Sequence, residues 1–583
     1  MKTSVAQDIS NNTTQRTRLQ RPLPLIILAA MASAFILTGA VLPLYGLFFH
    51  TALLTQLGQW VLLPSHILFP GWALTPTLFS NAEPVPPPLA LSWQAVLLLL
   101  CGCLLTLLFY LVALRYLPEH INRGYIVYST LLLGIVCVLI PVVTSQDIFS
   151  YIIYARMAII YHLNPLTTSP MAIQHDPTFV HLYWKDQPSA YGPIWTIITG
   201  VLQWLTNGFG TANIVPMVLA LRLLGLATHL WSALLVWSIG RHLQRQKGCI
   251  SSQAQVLATL AFAWNPLLLF EACVNAHNDA YILFFVLLAI WFLVRTTPLT
   301  PRAYIFATIM LALATCLKVN IALLIPGLLL FLWTQPRPLR AIGTTLAIYI
   351  GTIVALYAPF WQQGAILDIL HINPGTYRDI NTLPEFLSHF YNSIVQLLGY
   401  PAAAEIGSPA ETFFHTLSGV IFVAAYAISC WRAIYRQRGI PTPLQLIRWM
   451  TLIWFLYCAI GTPWMWPWYT VTFFGLFALL ESVDIEEWQK RPLLSFLSLP
   501  LAVRLLAFSM LSLYCFYAWG PFATFMPLLP NFRWAFWRGL WAWFIPLLAI
   551  QNLLSGNSRR DERGIEKGLT QHEESRQSPN HVV

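Results

Sequence analysis

On the face of the membrane that the sequence leads us to expect as the outer one, ionisable side chains gather in three stretches. The largest, residues 144–190, holds Asp147, Arg156, His162, His175, Asp176, His181, Lys185 and Asp186. A second runs from Glu271 to Asp279 and includes Asn275-Ala276-His277-Asn278-Asp279, and a third covers roughly 361–410. Lys318 stands alone in Cys316-Leu317-Lys318-Val319-Asn320, and an aromatic run spans Pro463-Trp464-Met465-Trp466-Pro467-Trp468-Tyr469. A carboxylate in such a place can take a proton from an attacking hydroxyl. A lysine or arginine there can meet a phosphate, and aromatic rings can stack on a sugar or an isoprenoid chain.

Asp147 follows an apolar run in Thr144-Ser145-Gln146-Asp147-Ile148-Phe149-Ser150-Tyr151. At helical spacing Asp147, Tyr151, Tyr154, Ala158, Tyr161 and His162 share one stripe, and isoleucines fill much of the rest. The pattern predicts a membrane-surface helix with a wet, hydroxyl-rich face led by a carboxylate. Arg156 falls on the opposite, apolar side, where it must snorkel to headgroups or meet an anion such as a lipid phosphate. Blander roles stand beside each of these. Asp147 and Asp279 can both be helix N-caps, Lys318 a snorkelling anchor, and the tryptophan run an interfacial belt. His175, Asp176, His181 and Asp186 match no tight metal-ligand spacing and read as a solvated loop.

The elements that must position these residues are apolar. Of 583 residues 57% are hydrophobic and 9% charged, which excludes a soluble globular enzyme. The apolar residues suffice for about fourteen bilayer crossings of roughly 20 residues each. We expect an all-α, polytopic transmembrane helical bundle with interfacial helices in the first large outer loop. The spans fall near 23–48, 90–114, 125–145, 213–240, 254–270, 280–295, 303–317, 319–334, 341–360, 411–431, 447–462, 469–482, 494–518 and 532–553. Residues 191–206 and 51–80 are expected to be interfacial or re-entrant.

The chain divides into a basic cytoplasmic tail (1–22), two N-terminal transmembrane helices with an outer loop (23–120), a catalytic module (121–490), C-terminal transmembrane helices (491–555) and a disordered cytoplasmic tail (556–583). With both termini cytoplasmic, 24 of the 32 Lys and Arg residues lie inside, as positive-inside orientation requires. The net charge of +10 is therefore topology and calls for no nucleic acid. The chain shows no Gly-rich phosphate loop, Gly-x-Ser-x-Gly elbow or His-Glu-x-x-His. An enzyme of this build should take both substrates from the membrane.

The quoted residues resemble the multi-spanning glycosyltransferases of the GT-C fold, specifically the bacterial polyprenyl-phosphate-mannose-dependent α-mannosyltransferases. The similar stretches are Asp147-Ile148-Phe149-Ser150-Tyr151 with Arg156, His162-Leu163-Asn164-Pro165, Tyr191-Gly192-Pro193-Ile194-Trp195, Asn275-Ala276-His277-Asn278-Asp279, the Lys318 turn and Pro467-Trp468-Tyr469. They run in order from about 120 to 480. The resemblance implies a cell-membrane enzyme with an outward-facing cavity, a polyprenyl-phosphate sugar donor carrying mannose, and a glycan or glycolipid acceptor. It makes Asp147 the catalytic base. Arg156, Lys318, His277, Asn278, Asp279, Tyr151, Tyr191, Trp468 and Tyr469 become the donor-phosphate and substrate contacts. No metal ligand and no cofactor are expected beyond the lipid-linked sugar, and a divalent metal stays optional. Leu166, where an aromatic more commonly follows Asn-Pro, departs from the pattern, as do the adjoining His162-Leu163 and the two spans ahead of the one leading to Asp147. Two other readings stay open: a lipid or solute transporter, and a glycan polymerase or ligase using a diphosphate-linked donor.

Overall fold

The computed structural model describes residues 22–41, 93–140, 145, 147–211, 214–248, 250–368, 378–401, 407–436, 438–489, 492–494, 497–517 and 537–544. The two tails, the 51–80 stretch and most of the expected 532–553 span lie outside the described residues. Among the described residues the chain is all-α apart from a short antiparallel pairing of residues 492–494 with 497–498 and one bridge between Ile380 and Trp464.

Helices α1 (Leu23–Val41), α2 (Trp93–Tyr116) and α3 (Arg123–Leu139) lead to α4 (Asp147–Ile159) and α5 (Pro193–Thr206). Next come α6 (Val215–Lys247), α7 (Ser252–Ala263), α8 (Pro266–Leu269), α9 (Asp279–Val294), α10 (Pro301–Thr315), α11 (Ile325–Trp333) and α12 (Pro338–Tyr357). The last described helices with full boundaries are α13 (Leu383–Leu397), α14 (Pro409–Tyr435), α15 (Pro443–Leu456), α16 (Val471–Gln489) and α17 (Leu499–Tyr517). Side chains at the helix starts accept otherwise orphaned amides: Asn122 from Tyr125, Ser251 from Ala254, Thr300 from Ala303 and Thr442 from Gln445.

Among the described residues, five helical segments are long and apolar enough to cross a bilayer: Leu99–Tyr116, Val215–Lys247, Pro338–Phe360, Pro409–Tyr435 and Pro443–Gly461. A sixth forms if α7 and the segment Pro266–Val274, bent by 46°, count as one. Six shorter apolar helices accompany them among the described residues. On α12 and α14 the side chains of Ile350, Val354, Val420 and Val423 are uncovered, as suits helices bathed in lipid. The interior is formed by α6, α7, α9, α10 and α16, which pack on one another. At 14 residues, α5 is about 21 Å long.

The wet face expected for α4 is absent. Ile148 through Met157 are all buried, because α5 and the following loop cover the helix. Its hydroxyls turn to protein: Tyr154 Oη donates to the Gln187 carbonyl at 2.9 Å, and Tyr151 meets a histidine.

Candidate active site

Three backbone features bring the ionisable residues together. The first is the break between α7 and α9. Asn265 caps α8 by accepting from the Leu267 amide, and Pro266 at its first position has no amide to lose. One π-helical turn, Phe270–Val274, follows, and Ala276 adopts a left-handed φ of 53°. The His277 amide then donates to the Glu271 carbonyl at 2.9 Å. Helix α6 reaches this turn through Gly225, where a Cβ would lie 1.9 Å from the Ala272 carbonyl oxygen.

The second feature joins Tyr191 to the Lys318 turn. The amides of Gly192 and Ile194 donate to the carbonyls of Leu317 and Cys316 at 3.1 and 3.2 Å. A Cβ on Gly192 would meet the Cys316 carbonyl oxygen at 2.1 Å, so only glycine permits the approach. The third is the aromatic loop before α16. It is pinned by the Ile380 amide donating to Pro463 O at 2.8 Å, by Asn381 Nδ2 donating to Met465 O at 2.7 Å, and by Trp454 Nε1 donating to Tyr469 O at 2.9 Å.

Asp147 opens α4, and its side chain is 18% exposed. A turn further on, Tyr151 Oη lies 3.1 Å from His277 Nδ1, which is itself 3.8 Å from Asp147 Oδ2. The imidazole is fully buried and stacks on Trp468, with centroids 3.8 Å apart. Trp466 continues the column at 4.9 Å. Beside it, Lys318 Nζ is 3.1 Å from Asp279 Oδ1 and sits over the Tyr469 ring, 3.4 Å from its centroid. Behind His277, the Glu271 carboxylate accepts from Tyr514 Oη at 2.7 Å and Asn275 Nδ2 at 3.0 Å. His277 Nε2 is 3.5 Å from Glu271 Oε2.

Burial pushes Asp147 up to about 6, with Asp279 adding to the effect, while a Tyr191 hydrogen bond and Lys318 oppose it. Burial lowers Lys318, against the pull of Asp279 and Asp147. His277 is held well below the usual histidine range by burial and by Lys318, so it is neutral. A carboxylate that is partly accessible and titrates near neutrality can serve as a general base.

Asp147, Tyr151, Tyr191, His277, Asp279, Lys318, Trp468 and Tyr469 therefore converge. Arg156 does not join them. Its Nε pairs with Asp176 Oδ2 at 2.7 Å and its Nη1 donates to Thr211 O at 2.5 Å, with both side chains buried. It braces the loop that follows α4, paired with a buried carboxylate. His277 has no exposed surface. Asn278 is buried, and its Nδ2 has no hydrogen-bond partner among the described residues. Glu271, Asn275 and Tyr514 were not assigned roles from sequence; an acid set in the apolar run Leu267-Leu268-Leu269-Phe270-Glu271-Ala272 was the available signal. Of the arginines buried within helices, Arg504 forms an ion pair with Glu481. Arg222 instead donates to the carbonyls of Val138 and Ile140 at the end of α3. No group of three or more His, Cys, Asp or Glu residues arranged to hold a metal occurs among the described residues.

Fold and site define an all-α polytopic membrane protein whose ionisable residues converge beside one accessible carboxylate. Residues 68–335, a little under half of the chain, match the family described as Alpha-(1->6)-mannopyranosyltransferase, N-terminal domain. Over 212 residues the chain is 28% identical to a Probable alpha-(1->6)-mannopyranosyltransferase of Mycolicibacterium smegmatis, covering 34% of this chain and 35% of that protein. Over 168 residues it is 30% identical to an Alpha-(1->6)-mannopyranosyltransferase of Mycobacterium tuberculosis, covering 28% and 26%. The chain thus spans about a third or less of the length of these curated relatives. No solved structure matches it. The similarities bear out the resemblance to GT-C-like mannosyltransferases. The matched segment carries Asp147, Tyr191, Glu271, His277, Asp279 and Lys318, whereas Trp468, Tyr469 and Tyr514 come from beyond it.

Proposed function

We propose that this protein is a membrane glycosyltransferase that moves mannose from a polyprenyl-phosphate donor to a lipid-linked or cell-envelope glycan acceptor. Transfer takes place on the outer face with inversion at the anomeric carbon. The observation that carries the reading is the Asp147 carboxylate, partly open and titrating near neutrality, set beside a lysine that already has an anionic partner. Asp147 takes the proton from the acceptor hydroxyl as its oxygen bonds to the anomeric carbon. The bond from that carbon to the phosphate oxygen breaks, and polyprenyl phosphate leaves with the electron pair. An ammonium has three donors, so Lys318 can hold Asp279 and still meet the phosphate, stabilising the charge that develops on it. Tyr191 orients the base, and Tyr469 supplies the face on which the ammonium rests.

The test is transfer by the purified protein in proteoliposomes, supplied in parallel with polyprenyl-phosphate mannose, a polyprenyl-diphosphate sugar and a nucleotide sugar. Consumption of the monophosphate donor, with an α-linked product from a β-linked donor, is the expected result. Use of the diphosphate donor alone, or lipid translocation without transfer, overturns the reading.

A further inference from the structure

Glu271 is a fully buried acid that the transfer mechanism above does not use, yet it lies one imidazole away from the base. Its surroundings have a direction. Tyr514 Oη donates to Oε1 at 2.7 Å and Asn275 Nδ2 to Oε2 at 3.0 Å, so this carboxylate is arranged to accept. His277 Nε2 is buried without a hydrogen-bond partner among the described residues, and Glu271 Oε2, 3.5 Å away, is the acid beside it. A neutral imidazole has one N–H and one bare nitrogen. A proton on Nε2 leaves Nδ1 bare, and Tyr151 Oη, 3.1 Å away, then donates to it. In this chain of contacts neither His277 nor Tyr151 spends a proton on Asp147, although His277 Nδ1 is only 3.8 Å from its carboxylate.

We propose that Glu271 is a positioning residue that fixes His277 with its proton on Nε2 and so leaves Asp147 free to act as a base. The proposal rests on the glycosyltransferase reading of the same site. Were the chain reversed, an Nδ1–H would point at Asp147 and Tyr151, hold the carboxylate in its anionic form and weaken it as a proton acceptor. The local backbone serves this arrangement. The π-helical turn and the left-handed Ala276 let Glu271 and His277 face each other across six residues, a juxtaposition that regular helical spacing does not give. Trp468 covers the imidazole face and prevents it from turning. The groups acting on Asp147 are Tyr191, Lys318, Asp279, Tyr151 and His277. Those acting on Glu271 are Asn275, Tyr514, His277, Asp279 and Asp147 itself.

The first experiment reads the tautomer directly. Imidazole nitrogen shifts of histidine-labelled protein in nanodiscs, with the His277 signals identified by their loss in His277→Asn, should show Nε2 protonated and Nδ1 bare from pH 6 to 8. A proton on Nδ1, or a cationic ring, overturns the proposal, and this measurement stands whether or not the protein transfers mannose. The second is Glu271→Gln. Its amide can donate to Nε2, which leaves the imidazole proton on Nδ1, facing Asp147, and so makes Asp147 a weaker base. We expect kcat to fall about tenfold with KM within twofold, and the acid limb of the rate profile to move to lower pH. Wild-type kcat and an unmoved limb in a variant with native elution and melting would refute the role. An inactive wild type with the expected tautomer would instead count against the glycosyltransferase reading.

Discussion

Replacing Asp147 by Asn keeps the shape of the side chain and removes its capacity to hold a proton. General-base assistance typically contributes a factor of about 10² to 10⁴, or about 3–5 kcal/mol of barrier, and Asp147→Asn should lower kcat by that factor. KM for the donor should change little, because the proposed mechanism gives the phosphate to Lys318 and not to Asp147. The pH profile gives an independent measure. Asp147 is pushed up to about 6 by burial, and a base works only when deprotonated. About nine-tenths of the enzyme is therefore competent at pH 7 and about one-tenth at pH 5, so the rate should fall roughly tenfold per unit below the midpoint. The assay is initial-rate transfer from labelled polyprenyl-phosphate mannose in proteoliposomes between pH 4.5 and 8, with binding of donor measured separately at each pH. Undiminished transfer by the Asn variant, or a flat profile through pH 5 in the wild type, would refute the base assignment.

Arg156→Met should destabilise the protein by about 3–5 kcal/mol, since it leaves the Asp176 carboxylate buried without its guanidinium; thermal unfolding in detergent checks this, and Arg156→Met/Asp176→Leu should recover most of the loss. Lys318→Gln should likewise uncover Asp279, whereas Lys318→Gln/Asp279→Asn should regain melting temperature without regaining donor binding, which separates the phosphate role from the structural one. Gly225→Ala would drive a methyl into the Ala272 carbonyl and cost about 1–3 kcal/mol, with a loss of kcat larger than its loss of folded protein, because the displaced turn carries Glu271 and His277.

Much of the site was visible in the sequence because intramembrane charge is expensive and therefore sparse. Asp147, Asp279 and Lys318 stood out against apolar flanks, and all three meet in the structure. What failed to show were relations that depend on irregular backbone. Helical periodicity put Arg156 on a lipid-facing side, but the loop that follows folds back through two short 3₁₀ turns and delivers Asp176 to it from twenty residues away. The same cover removed the wet face of α4. Glu271 and His277 are six apart, a spacing that carries no signal on a regular helix; a π-helical turn and one left-handed residue make them neighbours. An arginine inside an apolar run does not announce its partner: the end of α3 offers carbonyls that need donors, and the Arg222 guanidinium supplies them.

The way the site is closed also bears on why so long a bundle is needed. The family match ends at residue 335, and by then the base, its orienting tyrosine, the lysine and the buried acid are all present. The lysine, the histidine and the buried acid each still lack a contact that arrives later in the chain. Tyr469 provides the ring beneath the Lys318 ammonium, Trp468 covers His277, and Tyr514 of α17 donates to Glu271. A charge or buried dipole without such a partner is costly in a low-dielectric interior. The second half of the bundle therefore does more than enclose a finished site. It supplies the contacts that let a lysine and three carboxylic side chains coexist within a few ångströms, and it leaves only one of those acids, Asp147, open enough to meet a substrate.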